Sequence, residues 1–295
     1  MKSEIAVLGR DERTRAAGAW LAAQGWPVAG PEGAGRAPAL LLPMPLAGRE
    51  EELAGMLEGA RPGALALGGR VSGKAAKLAA AKGVELVDYY DREELALLNS
   101  ALTAEGCIWL LLDRRQKAIL GSRVLVTGCG RVGLALLARL RALGAQVLGA
   151  DRSPARRASA LALGCEACSL EEAPKAAAGF EVVVNTIPAR VLGRWLWQAL
   201  APGSLAVELA GEPGGMEEAQ VLAAGHTLVR GPALPARVCP VSAGQAVGRA
   251  TAQILRERGI LGKDRLPLCL PFAAVFAPLK KPCPRQRNWW GGGSR

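Results

Sequence analysis

The chain of 295 residues is long enough for two domains with cores of their own. Half of it is hydrophobic and only 4% aromatic, so the expected cores are Ala, Leu and Val packed in α/β layers. The formal charge of +11 does not predict a nucleic-acid partner, because seven basic residues and one acid fall after residue 262 and the remaining charges interleave.

The seven cysteines are an odd, scattered set and read as reduced thiols. Cys165 and Cys168 have metal or redox spacing, but no second pair or nearby histidine completes a site, so a structural strand is expected there and no metal. Met1 leads directly into a strand-like run and no 18-residue apolar span suggests a membrane helix. The expectation is a cytoplasmic protein without signal peptide or membrane partner.

In chain order, Ile5–Leu8 reads as a buried strand ending at Gly9, followed by a polar turn and a helix through Leu21. A second strand, Ala39–Leu42, closes on Pro43 and Pro45. A charged helix over 49–58, a strand Ala64–Leu67, another helix and a strand Val84–Asp88 complete residues 1–95. Strands alternating with helices predict parallel pairing and right-handed crossovers. A helix over about 91–117, with 96–120 as the linking segment, leads into a second α/β domain at 121–240.

That second domain contains the most informative stretch of the sequence. An apolar strand at Val124–Thr127 enters Gly128-Cys129-Gly130-Arg131-Val132-Gly133, and an apolar-periodic helix follows to Leu143. The next strand, Gln146–Ala150, ends on Asp151. A Gly-x-Gly-x-x-Gly opening a helix, with an acid about 20 residues on, is the dinucleotide-binding pattern. Gly128 permits the tight turn, Gly130 admits a pyrophosphate, and Gly133 lets helix and strand pack closely. The helix N-terminus then faces the phosphates. Asp151 favours NAD through the ribose diol, whereas Arg152, Ser153, Arg156 and Arg157 favour NADP through a 2′-phosphate, and the choice stays open.

Further strands are expected at 165–168, 181–184, 205–208 and 227–229, with helices at 154–163, 191–200 and 216–223. A turn-rich loop over 231–240 precedes a helix from Ser242 to Arg258, which is expected to pack back on the first domain (241–261). The tail, 262–295, is Pro-rich and basic, ends near Trp289-Trp290, and is expected to be disordered. The fold class is therefore α/β, with two doubly wound, Rossmann-like parallel-sheet domains joined by a linking helix.

Ligands of open α/β sheets bind beyond the carboxyl ends of the strands. That rule selects the 128–133 turn, Asp151-Arg152-Ser153, Asn185-Thr186-Ile187-Pro188, the 208–215 loop and the 231–240 loop. The only histidine, His226, falls at the amino end of its strand, where a surface role is expected. A simple dehydrogenase with a histidine base is thus disfavoured. The remaining acid/base candidates are Asn99, Ser100, Thr103 and Glu105, and the substrate-binding candidates are Ser242, Gln245 and, for a carboxylate, Arg13.

These motifs together resemble the family of dipicolinate synthase A subunits, over residues 3 to about 260. The resemblance rests on Gly9-x-Asp11-x-Arg13, Asn99-Ser100-x-x-Thr103-x-Glu105-Gly106 and Gly128-x-Gly130-Arg131-x-Gly133. It continues with Asn185-Thr186-Ile187-Pro188, Pro213-Gly214-Gly215, Pro232-x-Leu234-Pro235 and Ala243-Gly244-Gln245. It implies oxidation of a dihydrodipicolinate-type compound to pyridine-2,6-dicarboxylate with NAD or NADP in endospore formation, in the mother-cell cytoplasm. It also implies a protein partner, the flavoprotein-like B subunit, with a homo-oligomer as a further possibility. Glu212 and Val241 stand where the family commonly carries cations, and Arg237, Arg190 or Arg13 are the candidates to compensate. Two other readings are another NAD(P)-dependent dehydrogenase of similar two-domain architecture, and a non-catalytic dinucleotide-binding subunit.

Overall fold

The computed structural model describes residues 4–260, in which two parallel sheets each carry helices on both faces. The expectations for the 262–295 tail and Trp289-Trp290 lie outside the described residues. The first sheet comprises β1 (Ile5–Val7), β2 (Val28–Ala29), β3 (Ala39–Leu41), β4 (Leu65–Gly68) and β5 (Glu85–Asp88), in the order β2-β1-β3-β4-β5. Its helices are α1 (Glu12–Ala23), α2 (Glu50–Met56) and α3 (Gly73–Ala81). β3 and β4 are apolar and buried along their whole length, as strands of a sheet covered on both faces must be. Local chemistry fixes the helix starts: Asp11 caps α1, accepting from the Thr14 N–H at 3.0 Å, and Ser72 caps α3. The two-residue edge strand β2 was not expected; so short a run carries no alternation to read.

α4 (Glu93–Arg115) follows, with Glu93 and Glu94 in its first turn and Arg114 and Arg115 in its last, matching the helix dipole. Contrary to the sequence reading, α4 is long and apolar enough to cross a membrane by length and composition, with a mean hydropathy of 1.6. Its buried side chains explain that composition. Ala104, Cys107, Leu110 and Leu111 pack in one core with the second sheet and its helices, so α4 is a core helix of the fold.

The second sheet comprises β6 (Arg123–Thr127), β7 (Gln146–Ala150), β8 (Glu166–Cys168), β9 (Val182–Asn185), β10 (Leu205–Glu208) and β11 (Thr227–Arg230), in the order β11-β10-β9-β6-β7-β8. All its pairings are parallel, and Cys168 lies in edge strand β8, the structural strand expected there. α5 (Arg131–Ala142) and α6 (Pro154–Ala162) follow β6 and β7. The remaining helices of this half are α7 (Ala173–Ala176), α8 (Arg194–Trp197), α9 (Glu218–Ala223) and α10 (Leu234–Val238). The helix expected over 191–200 shrinks to α8, since Gly193 precedes it in extended conformation and Ala201-Pro202-Gly203 follows it. The 231–240 loop contains the short α10, which begins at Leu234 with Pro235 in its first turn.

α11 (Pro240–Glu257) packs against α1. Two glycines set that approach. A Cβ on Gly244 would fall 2.3 Å from the Arg13 carbonyl oxygen, and one on Gly248 would meet the Trp20 ring at 2.8 Å. The Ala243-Gly244-Gln245 segment therefore brings α11 onto the first turn of α1, at Arg13.

Candidate active site

Both sheets reverse direction of growth at a single point, between β1 and β3 in the first and between β6 and β9 in the second. The crevice beyond the carboxyl ends at such a point is where open α/β sheets hold ligands. The second sheet's crevice contains the glycine turn. Gly128 adopts φ +91, in the left-handed region, and a Cβ on Gly133 would lie 1.8 Å from the Gly128 carbonyl oxygen. A Cβ on Gly130, by contrast, would meet nothing within 4 Å. Gly130 is also the N-cap of α5, and no side chain caps that helix. Open space over uncapped N–H groups at a helix start suits a pyrophosphate, so these residues fit a dinucleotide.

A polar network behind the turn sets its shape. Thr186 Oγ1 donates within reach of the carbonyls of Thr127 (3.0 Å) and Gly128 (3.1 Å). The Asn185 side chain is fully buried: Oδ1 accepts from Thr127 Oγ1 at 2.8 Å and from the Ile187 N–H, and Nδ2 donates to Glu208 Oε1 at 2.7 Å and to the Ile187 carbonyl. Glu208 in turn accepts from the N–H groups of Ala210, Gly215 and Met216. With its amide oxygen and nitrogen both engaged inside the fold, the Asn185 side chain shapes the crevice wall. Gly215 is needed because a Cβ there would sit 2.4 Å from Asn185 Nδ2. Glu208 opens the 208–215 loop selected from the sequence but is given no role of its own there, although an acid ending the apolar strand Leu-Ala-Val-Glu is the available signal.

Asp151 is buried at the end of β7. Its Oδ2 accepts from the Cys129 N–H at 2.9 Å and its Oδ1 from the Ser153 N–H at 2.8 Å. It thereby ties the glycine turn to the start of α6, while Ser153 caps that helix through the Arg156 N–H. Arg157 donates to the carbonyls of Asp151 and Arg152 and so braces the loop, and the Arg156 guanidinium lies 3.7 Å from Asp151. Arg152 is exposed beside them. Burial, with Asp151 nearby, pushes the Cys129 thiol up to about 12, so it stays protonated.

The first sheet's crevice contains Arg13. Its side chain is almost wholly buried, with the residue 8% exposed, and its Nη2 donates to the Met44 carbonyl that follows β3. Its Nε has no partner, and no carboxylate pairs with it among the described residues. A buried cation without a counter-ion is costly, and here it lies at the β1/β3 switch point with donor capacity to spare. Tyr89 is buried alongside, donating its hydroxyl to the Leu42 carbonyl at 3.3 Å.

The two crevices are joined through the start of α4. Asn99 Nδ2 donates to the Tyr90 hydroxyl at 3.2 Å, and Arg131 makes a two-pronged ion pair with Glu93. The other candidates on α4 fare differently. Ser100 and Thr103 donate to the carbonyls of Ala96 and Asn99, one turn back along their own helix. Glu105 takes a partner on α5. It pairs with Arg139 at 3.4 Å, eight positions after Arg131 and so about 12 Å along α5 from the glycine turn. There it borders an apolar groove of about 530 Å³ with Trp109, Leu112 and Leu143, remote from either crevice. Gln245 is buried and Ser242 half-buried in the first turns of α11, on either side of Gly244, which approaches the Arg13 backbone. His226 does stand at the amino end of β11, but the expected surface role is wrong. The ring is buried, with Nδ1 accepting from the Ser204 N–H at 3.2 Å and Nε2 donating to the Trp197 carbonyl at 2.7 Å.

Fold and glycine turn together define a doubly wound α/β protein with a dinucleotide-binding turn. Residues 93–196 match the D-isomer specific 2-hydroxyacid dehydrogenase, NAD binding domain, family. In sequence the chain is 31% identical to the dipicolinate synthase A subunit of Bacillus subtilis (strain 168) over 173 residues. The match spans 59% of this chain and 58% of that curated relative. In structure it resembles the dipicolinate synthase A subunit of Bacillus halodurans, with a TM-score of 0.75 at 23% identity over 86% of this chain and 98% of that one. It also resembles the transhydrogenase of Sinorhizobium meliloti, with a TM-score of 0.68 at 16% identity over 88% of this chain and 95% of that one. The similarity to dipicolinate synthase A subunits read from the motifs thus holds in sequence and in fold.

Proposed function

We propose that the chain oxidises a dihydrodipicolinate-type dicarboxylate to pyridine-2,6-dicarboxylate, in the manner of the dipicolinate synthase A subunits it resembles. The observation that carries this reading is Arg13, a buried, unpaired cation at the switch point of one sheet, joined through α4 to the dinucleotide turn of the other. Bound NAD(P) supplies the hydride acceptor. The protein's own residues bind and orient. The α5 N-terminus and Gly130 receive the pyrophosphate, the Asn185–Glu208 network shapes the turn, and Arg13 receives a carboxylate of the substrate. Aromatisation of the ring supplies driving force, so positioning accounts for most of the work asked of the protein. With His226 buried and hydrogen-bonded on both nitrogens, proton transfer falls to another group, and the Tyr90 hydroxyl, positioned by Asn99 Nδ2 on α4, is the candidate.

To the same reading belong a role in endospore formation, a mother-cell cytoplasmic location and a flavoprotein-like B subunit. The test follows turnover of the dihydro compound made from the lysine-pathway aldol product. NAD(P)H is read at its near-ultraviolet band and dipicolinate by its own absorbance, with and without the B subunit. Equimolar NAD(P)H and dipicolinate is the expected result. Tight cofactor binding without product overturns the substrate and favours a non-catalytic role.

A further inference from the structure

We propose that Arg70 is a second substrate-binding cation, which with Arg13 grips a substrate bearing two carboxylates; this rests on the reading of Arg13 given above. Arg70 follows β4 with φ +55, a left-handed conformation that favours glycine and costs a long side chain free energy. Hydrogen bonds to the backbone hold it there. Asp88 accepts from the Arg70 N–H at 3.1 Å and the Val71 N–H at 2.7 Å, and also from the Tyr90 N–H. None of these contacts uses the Arg70 side chain, so the fold asks for the bend and not for an arginine.

The guanidinium is exposed, lies 5.4 Å above the Tyr90 ring, and has no ion pair among the described residues. Among the described residues of the same half, Arg36, Arg49 and Arg92 each pair with a glutamate, whereas Arg10, Arg15 and Arg61, like Arg70, have no ion pair. Arg70 differs from these in its left-handed backbone and its place over Tyr90. The carboxylate beside Arg70, Asp88, is occupied by backbone N–H groups instead. Arg70 is therefore presented as a free cation.

Its position is tied to Arg13. The N–H groups of Leu46 and Ala47 donate to the carbonyls of Gly69 and Arg70, each at 2.9 Å, stapling the loop after β4 to the loop after β3. Met44, whose carbonyl receives Arg13, packs so close to Gly69 that a Cβ there would meet its sulfur at 2.7 Å. Tyr90 links the same spot to Asn99 on α4. Arg13, buried in the first turn of α1, and Arg70, on the loop after β4 with a left-handed backbone, are two guanidiniums without an ion pair among the described residues, and both are tied to the loop after β3. The chemistry they fit is a small dicarboxylate, one carboxylate to each guanidinium.

Calorimetric titration of the full chain with pyridine-2,6-dicarboxylate, pyridine-2-carboxylate and glutarate, at saturating NADPH, tests the inference. The expected result is tighter binding of the pyridine dicarboxylate than of the monocarboxylate. Arg70→Ala then weakens the dicarboxylate by about 10- to 100-fold, the size of a lost charge-assisted hydrogen bond, and affects the monocarboxylate less. Arg70→Lys recovers part of the loss, and NADPH affinity stays unchanged throughout. Equal dicarboxylate affinity in wild type and Arg70→Ala overturns the assignment while leaving the proposed function intact. Glutarate bound in an Arg70-dependent way, with no pyridine dicarboxylate bound, overturns the proposed substrate and keeps Arg70. No binding of any dicarboxylate overturns both.

Discussion

Replacing Gly130 with Asp places a carboxylate in the open space over the start of α5. Nothing of the protein lies within 4 Å of the new Cβ, so the substitution leaves packing intact, and at an N-cap Asp is a favourable residue. The same carboxylate occupies the path of the pyrophosphate and competes for the N–H groups that would receive it. At about 4 Å, two unit charges repel by about 1 kcal/mol in bulk water and about 4 kcal/mol at the effective dielectric of a protein surface. The expected loss of NADPH affinity is therefore between about 5-fold and 1,000-fold, before steric exclusion is added. NADPH fluorescence titration reads the affinity, and thermal unfolding reads the fold. Gly130→Ala, whose methyl fills the same empty space without charge, is expected to lose far less. Unchanged NADPH affinity in Gly130→Asp would refute the assignment of this turn to the dinucleotide.

Three other outcomes follow from the structure. Arg13→Met removes a buried, unpaired charge, so thermal stability is expected to hold or rise while substrate KM increases by about 10- to 100-fold; a fall in both stability and cofactor affinity would make Arg13 a structural residue. Glu105→Gln is expected to leave kcat and KM unchanged, because its carboxylate pairs with Arg139 about 12 Å along α5 from the glycine turn. Burial raises the thiols of Cys107 and Cys129 to about 12 and those of Cys168 and Cys239 to about 11, from an ordinary value near 9. The unfolded chain thus releases protons first, and stability present below pH 9 should fall as pH rises from 9 towards 12; a urea midpoint at pH 10.5 equal to that at pH 8 contradicts this.

Much of the architecture is written locally in the sequence. Apolar runs such as Val124–Thr127 and Val182–Val184 can only be strands covered on both faces, and Gly128, Gly130 and Gly133 have spacing that fixes what each must do. The geometry of the turn was legible because it is local, whereas Asp151, expected on a ribose, is seen accepting from the Cys129 and Ser153 N–H groups. The site was not legible where function depends on partners distant in sequence. Asn185 takes Thr127 and Glu208 as its side-chain partners. Glu105 shares a helix with Asn99, but helical rotation and rise carry it to another face and another neighbour. His226 sits at the strand end expected of it, yet the depth of that end depends on Trp197 and Ser204 packing over it. Arg70 carries no motif, and its exposure and φ emerge only in three dimensions.

The central claim is that a dinucleotide on the 128–133 turn and a carboxylate on Arg13 are held on one catalytic surface. A crystal structure of the chain with NADPH and pyridine-2,6-dicarboxylate tests it most directly. The pyrophosphate is expected against the N–H groups at the start of α5, with a carboxylate oxygen within hydrogen-bond distance of Arg13 Nε. A dicarboxylate bound elsewhere, with Arg13 Nε still unpartnered, would contradict the claim.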